Sequence, residues 1–492
     1  MRKGGVVKHL AVSGSLLALA LGSAPAHADT LQEALTQAYV NNPTLEAARA
    51  SQRAEDENVP VQKSQGLPSI NAGGQYVEFV KPSPNAFAPT ERLFTVGPDL
   101  TVPLYSGGAV KNSIRAAKER VEAGRASLRG TESALFSQVV AAYLDVLRGQ
   151  ALVALSSNQV DVLEVNLQAT SDRFEIGDLT RTDVAQSQSR LAVAQSDLQN
   201  AQATLISARE TYIRLVGSAP TDLQPPPPLP NLPATGGEAV DVALENNPDL
   251  IAARERAQAA GYDVEVAGSG RLPNVSAFAG LDYNDYFGTL QAGDPRFFQT
   301  ETTASAGVRF SIPIFQGGLP AARQRQAVAR ESAALEQIVA AEREVIAAVR
   351  ASFSNYRAAL QVIESSQAAV AAAELGLEGV RAENSIGNRT ILDVLNAEQE
   401  LLSARVQLVT ARRNAYVAGF SLLAAMGRAE ARDLGLGDAA LLYDPVVNYE
   451  RVSGRIWDWD RDPDPEAQTT STIDVPAPTA QIPEIAEPVD TP

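Results

Sequence analysis

Two short stretches decide the fold: Ile176-Gly-Asp-Leu-Thr-Arg-Thr-Asp-Val184 and Ile386-Gly-Asn-Arg-Thr-Ile-Leu-Asp-Val394. Each carries a glycine followed by Thr-x-x-Asp. Glycine supplies the left-handed residue that ends a helix. A threonine with an acid three residues on has the capping-box spacing that starts the next one. Gly177 with Thr180 and Asp183, and Gly387 with Thr390 and Asp393, therefore read as turns of helical hairpins. The flanks agree. No proline occurs from Leu104 to Ala219 or from Ala321 to Asp444, and both stretches are rich in helix-favouring Ala, Leu, Gln, Glu and Arg. Val139, Val146, Val153, Val160, Leu167 and Phe174 fall seven apart, and the stripe resumes after the turn at Val184, Leu191, Leu198, Leu205 and Tyr212. Strict sevens predict a left-handed coiled coil. An outgoing arm of about 70 residues would be roughly 105 Å long, too long for an ordinary globular core.

The chain is a duplication. Leu31-Gln-Glu-Ala-Leu35, Asn41-Asn42-Pro43 and Leu45-Glu-Ala-Ala-Arg49 return as Gly237-Glu-Ala-Val240, Asn246-Asn247-Pro248 and Leu250-Ile-Ala-Ala-Arg254, at an offset of 205. Val102-Pro-Leu-Tyr-Ser-Gly-Gly108 returns as Ile312-Pro-Ile-Phe-Gln-Gly-Gly318 at an offset of 210, which the two turns and Gly217/Gly427 keep. A constant offset means elements of equal length in both halves.

Between helices the period changes to two. Ala304, Ala306, Val308, Phe310, Ile312 and Ile314 alternate with Thr303, Ser305, Gly307, Arg309, Ser311 and Pro313, and Val275, Ala277, Ala279, Leu281 and Tyr283 alternate with Asn274, Ser276, Phe278, Gly280 and Asp282. The first-half pair, near Ser69–Phe79 and Leu93–Leu104, alternates less cleanly. These read as strands long enough to cross a bilayer when tilted. Four strands cannot close alone, and an open edge in lipid leaves backbone groups unpaired. Closure then comes from other copies: two would give a filled barrel of eight strands, three a barrel of twelve that can leave a pore. The plain alternative is a soluble pair of β-hairpins.

The ends and composition bound the rest. Arg2, Lys3 and Lys8, an apolar run from Leu10 to Gly22 and Ala26-His27-Ala28 before Asp29 read as a signal peptide over residues 1–28. Its removal takes away three bases and no acid, moving the net charge from −17 to −20, which argues against nucleic acid as a partner. His9 and His27 are the only histidines and there is no cysteine. Zinc sites with Cys or His, Ser-His-Asp triads, disulfides and lipid attachment to cysteine are excluded. No cofactor and no catalytic residue is expected. The first repeat spans 29–217, a Pro-rich linker 218–236, the second repeat 237–443, and an acidic Pro-rich tail, expected to be disordered and periplasmic, 444–492. Trp457 and Trp459 lie in that tail.

The Asn-Asn-Pro repeats, the strand pairs and the paired Gly-x-x-Thr-x-x-Asp-Val turns together resemble the TolC family of outer-membrane factors over nearly all of residues 29–445. The implied fold class is mainly α with membrane β: duplicated long coiled-coil helical hairpins plus four β-strands per chain, forming a trimeric 12-strand barrel and 12-helix tunnel. The resemblance implies an exit duct in the outer membrane with its tunnel in the periplasm. Its partners would be two further copies, a periplasmic adaptor, an inner-membrane ABC or proton-driven transporter, and outer-membrane lipid. It also implies a gate at the helical tips, where the matching positions are Thr182, Asp183, Arg389 and Asp393. Arg389 is expected to reach Asp183 or the Thr182 backbone, and Asp393 to form an acidic ring that favours cations. Asn384 stands where the family often has a gate-locking tyrosine, and Asn396 where some members carry a second acidic ring. A weaker gate follows.

A periplasmic coiled-coil scaffold or adaptor is the alternative, but adaptors have one helical hairpin, not two equal ones each preceded by strands. A carboxylate-based hydrolase has no motif behind it. Cargo is not legible, because small-molecule efflux and type I protein secretion use the same duct.

Overall fold

The computed structural model describes residues 29–81, 89–436 and 442–482. The signal-peptide segment 1–28 lies outside the described residues, as does the end of the tail, 483–492. Each half opens with short helices: α1 (Leu31–Asn41), α2 (Pro43–Asp56) and α3 (Asn58–Ser64) in the first. Then come β1 (Ser69–Glu78), β2 (Arg92–Ser106), the long α4 (Ala109–Glu175) and its return α5 (Arg181–Val216). The second half repeats the plan with α6 (Gly236–Asn246), α7 (Pro248–Ser269), β3 (Asn274–Asp285), β4 (Thr300–Ser311), α8 (Leu319–Ser385) and α9 (Ile391–Ala425). A last helix, α10 (Pro445–Val452), follows. α4 and α8 are each 67 residues long.

The repeated motifs have physical jobs. Asn42 caps α2 by accepting from the Thr44 and Leu45 amides, and its Nδ2 donates to the Leu215 carbonyl at 3.0 Å, at the end of α5. Asn247 does the same for α7 and donates to the Ala425 carbonyl of α9 at 2.9 Å. The second asparagine of each Asn-Asn-Pro thus joins the start of one helix to the end of another, satisfying groups that helix termini leave unpaired. Arg49 donates to the Tyr39 carbonyl and Arg254 to the Leu244 carbonyl, tying each helix to the one before it. The Gly-Gly doublets stand at two consecutive left-handed residues, φ 62° and 85° at Gly107 and Gly108, φ 59° and 84° at Gly317 and Gly318, where strand gives way to long helix.

The strands form one antiparallel sheet in the order β1-β2-β3-β4. The central β2–β3 pair joins the two halves, with Leu100 opposite Ala279 and a register shift at Pro103/Tyr105. Gly97 permits that pairing: a Cβ there would lie 1.9 Å from the Leu281 carbonyl oxygen. Ile312 and Ile314, expected in the last strand, lie beyond its end at Ser311. Among the described residues no strand pairs with the outer edges of β1 and β4, and Ile70, Tyr76, Val308 and Phe310 are exposed.

The main core lies where α1, α4 and α5 meet, around Phe136, Val139, Tyr143, Val146, Leu205 and Tyr212. The stripe of sevens holds through Val139, Val146, Val153 and Val160, which are buried. It fails towards the tip, where Phe174 is exposed and Leu163 and Thr170 are buried instead. A straight α-helix drifts about 20° per heptad against a strict seven, so the buried face moves to new positions. Along α8, by contrast, only Ala327, Val345, Val349, Ser366 and Leu377 are buried.

The linker and tail lie against the helices. Leu223 is buried, and the Pro227 carbonyl accepts from the Tyr416 hydroxyl at 3.0 Å. The tail expected to be disordered from 444 begins with a helix, α10. Asp444 caps α10 by accepting from the Val446 amide, Tyr449 packs with Val59, Ala117 and Val121, and Ile482 packs against the main core. Composition points to disorder because few apolar residues occur there; of those few, Tyr449 and Ile482 meet apolar faces of the helices and Val452 is buried. Trp457 and Trp459 are exposed.

Candidate functional site: the helical tips

Both hairpins turn by the same device. Gly177 (φ 82°) and Gly387 (φ 82°) are left-handed. The Asp178 amide donates to the Arg173 carbonyl and the Asn388 amide to the Glu383 carbonyl, closing the last helical turn in the pattern typical of glycine-ended helices. Thr180 and Thr390 then cap the return helices in reciprocal boxes with Asp183 and Asp393. Asp183 Oδ2 accepts from the Thr180 amide at 2.8 Å and from its hydroxyl at 2.7 Å; Asp393 Oδ2 accepts from Thr390 at 2.9 and 2.8 Å. Those bonds favour the ionised form and hold both carboxyls below their usual range, with Arg389 adding a smaller effect at Asp393.

The gate candidates are not all brought together within one protomer. Arg389 pairs with Glu383 of its own turn, Nε to Oε2 at 2.7 Å, instead of with Asp183 or Thr182. That partner favours the guanidinium and raises its affinity for the proton further. Asn384 donates to the Arg389 carbonyl at 2.8 Å and so braces the turn. Thr182 is exposed in the first turn of α5. Asn396 accepts from Arg190 Nη2 at 2.9 Å, a bridge from α9 to α5.

Sequence reasoning missed the most buried charge of the region. Glu398 on α9 is 3% exposed. Its Oε1 accepts from Asn166 Nδ2 of α4 at 2.9 Å and from Arg381 Nη2 of α8 at 3.1 Å, and its Oε2 accepts from Asn166 at 3.0 Å. One carboxylate thus ties the first hairpin to both arms of the second. Just beside it Val160, Leu163, Ala194 and Leu395 form a small core shared by α4, α5 and α9. The signal was available: Glu398 lies four residues after Val394 and three before Leu401, on the buried stripe of α9. A charge on an apolar stripe is a candidate for a specific partner.

The tips therefore offer polar latches and exposed acids at the end of two long hairpins, with a membrane-length sheet at the other end. The model of the family described as "Outer membrane efflux protein" matches residues 34–218 and 239–428. The chain belongs to that family. Among its relatives, this efflux protein is 34% identical to outer membrane efflux protein BepC of Brucella suis over 427 residues, 87% of this chain and 91% of BepC. It is 25% identical to outer membrane protein TolC of Escherichia coli over 449 residues, 89% of this chain and 90% of TolC. In fold it is similar to the CmeC outer membrane channel of Campylobacter jejuni, with a TM-score of 0.71 at 16% identity, over 86% of this chain and 89% of that one. The efflux protein is an exit duct of the outer membrane, and its strand pairs are the part of the chain suited to lipid.

Proposed function

We propose that three copies close into one duct, twelve strands in the outer membrane and twelve long helices beneath, and that the helical tips gate it. The observation that carries this is the protomer's incompleteness. Among the described residues its sheet has two free edges, and its α8 is as long as α4 yet almost unburied. Both deficits are what neighbouring copies would fill. The duct has no catalytic role. It serves efflux of small molecules or type I protein secretion, with a periplasmic adaptor and an inner-membrane ABC or proton-driven transporter docking at the tips.

At the closed tip, Arg389 of one hairpin would exchange Glu383 for Asp183 or the Thr182 carbonyl of the next. Three copies of Asp393 would form a ring attracting cations. Asn384 contributes only a brace within its own turn, which supports a loosely held gate. The test is conductance of the purified trimer in planar lipid bilayers. Arg389→Ala and Asp183→Ala should each raise it. Unchanged currents in both would reject the gate, and a monomer that stays soluble without detergent would reject the duct.

A further inference from the structure

α10 runs alongside α2 and α3 in the same direction. Asn448 Nδ2 donates to Asp56 at 2.8 Å, and five residues on, the Ser453 carbonyl accepts from Lys63 Nζ at 2.7 Å. Lys63 stands six residues before β1 begins at Ser69, so α10 points at the base of the membrane sheet. Tyr449 fixes the helix there, packed with Val59, Ala117 and Val121, with the Arg125 guanidinium 5.2 Å above its ring. Beyond Val452 the chain leaves the helix and forms a loop closed at its base by ion pairs. Asp462 Oδ1 accepts from Arg451 at 2.8 Å and from Arg455 at 2.7 Å, and its Oδ2 from Arg451 at 2.9 Å. Downstream, Arg209 of α5 holds the Thr479 and Gln481 carbonyls, so the segment is tethered on both sides.

At the tip of this loop three large side chains face outwards: Ile456, Trp457 and Trp459, 77%, 72% and 77% exposed. Ordered apolar side chains held out at the foot of a membrane barrel need an apolar cover. Tryptophan favours the boundary where lipid headgroups meet acyl chains, because its ring is apolar and its N–H still finds a polar partner. The flanking charges suit that boundary: two arginines and three aspartates from Arg455 to Asp462, nearly balanced, so no anionic lipid is required. We propose that the loop from Arg455 to Asp462 is a membrane-surface anchor that seats Ile456, Trp457 and Trp459 in the periplasmic leaflet of the outer membrane. The chain has no cysteine to carry a thioether-linked lipid, and this loop supplies a noncovalent foothold at the same membrane surface. The occupant is lipid, because the loop leaves α10 beside Lys63, just before the first membrane strand, at the end of the sheet where Leu104 and Tyr105 of β2 are also exposed.

Trp457 and Trp459 are the only tryptophans in the chain, so intrinsic fluorescence reports this loop without labelling. The full-length channel would be reconstituted in phosphatidylethanolamine vesicles whose acyl chains carry bromine either near the glycerol or near the chain end. The expected result is emission shifted to shorter wavelength and cut by more than half by the shallow bromines, with less quenching by the deep ones. Emission typical of water with no quenching would overturn the proposal. So would shifted emission without quenching, which would mean that protein covers the loop. Asp462→Ala, which unfastens the loop at its base, should weaken the shallow quenching while leaving the assembled channel intact. Equal quenching in that variant would reject the clamp as the device that presents the tryptophans.

Discussion

Arg381 on α8 and Glu398 on α9 form an asymmetric pair: the guanidinium is half exposed, whereas the carboxylate is 3% exposed. Removing either partner should therefore have unequal effects. In Arg381→Ala the carboxylate stays buried with Asn166 as its remaining partner, and a buried charge stripped of its counter-ion costs about 3–5 kcal/mol. In Glu398→Gln the freed guanidinium reaches water and the amide can still bond Asn166. That loss should be smaller, about 1.5–3 kcal/mol, in the range of a hydrogen bond to a charged group. Amide hydrogen exchange at the tips of α8 and α9 reads the difference. Equal protection in the two variants would mean that the burial of Glu398 does not matter.

The repeated asparagines make a second prediction. Asn42→Ala removes a helix cap, about 1 kcal/mol, and leaves the Leu215 carbonyl without its side-chain donor, about 1–3 kcal/mol. Asn42→Ser keeps a capping oxygen but is too short to reach Leu215. It should recover only the first part. The same ordering should hold at Asn247, whose Nδ2 meets Ala425. Thermal melting of the assembled channel checks it. If serine restores full stability, the bond to the far helix contributes nothing.

Legibility follows how local each device is. The turns at Gly177 and Gly387 and the caps at Thr180 and Thr390 are readable because the bonds of each join residues at most five positions apart. The strands were readable from period two, although the end at Ser311 was not, since Ile312 and Ile314 keep the alternation after pairing stops. The burial of Leu163 and Thr170 in place of Leu167 and Phe174 was hidden because helix drift accumulates over the whole arm. Arg389 was matched to Asp183 from a resemblance between assemblies, whereas within one chain its nearest acid is Glu383. The Glu398 latch joins residues more than two hundred positions apart, and the helix at the start of the tail is hidden because the apolar contact of Tyr449 exists only once the helices it meets are folded.

Glu132 gives a pH dependence. It sits on α4, its Oε1 accepts from the Ala431 amide at 2.6 Å, and burial pushes its carboxyl up to about 7 against that bond. Neighbouring Glu430 raises it further, while Arg49 and Arg432 oppose. The folded state therefore holds a proton that the unfolded chain releases near pH 4.5. Stability from this group is full below that value and is lost as pH rises to about 7, by up to about 3 kcal/mol. Glu132→Gln should be more stable than the parent at pH 8 and equal to it at pH 4. Melting curves at both values decide it; parallel pH profiles would show that Glu132 is not the titrating group.

Asn396 tests how charge is arranged at the tips. Replacing it by aspartate looks like a way to add a second acidic ring below Asp393. The structure argues otherwise, because Arg190 Nη2 already lies 2.9 Å from Asn396 Oδ1. An aspartate there would take Arg190 as a charge-assisted partner, bringing the pair from +1 to no net charge rather than creating an acidic ring. Asn396→Asp alone should therefore only cancel the arginine's charge and make the channel modestly more cation-selective, measured as the reversal potential across a bilayer with unequal KCl. Asn396→Asp combined with Arg190→Ala should make the channel clearly more cation-selective, and Asp393→Asn should make it less so. If Asn396→Asp alone matches the double variant, Arg190 does not neutralise position 396 in the assembled channel. The bridge between α5 and α9 would then be broken when the three copies come together.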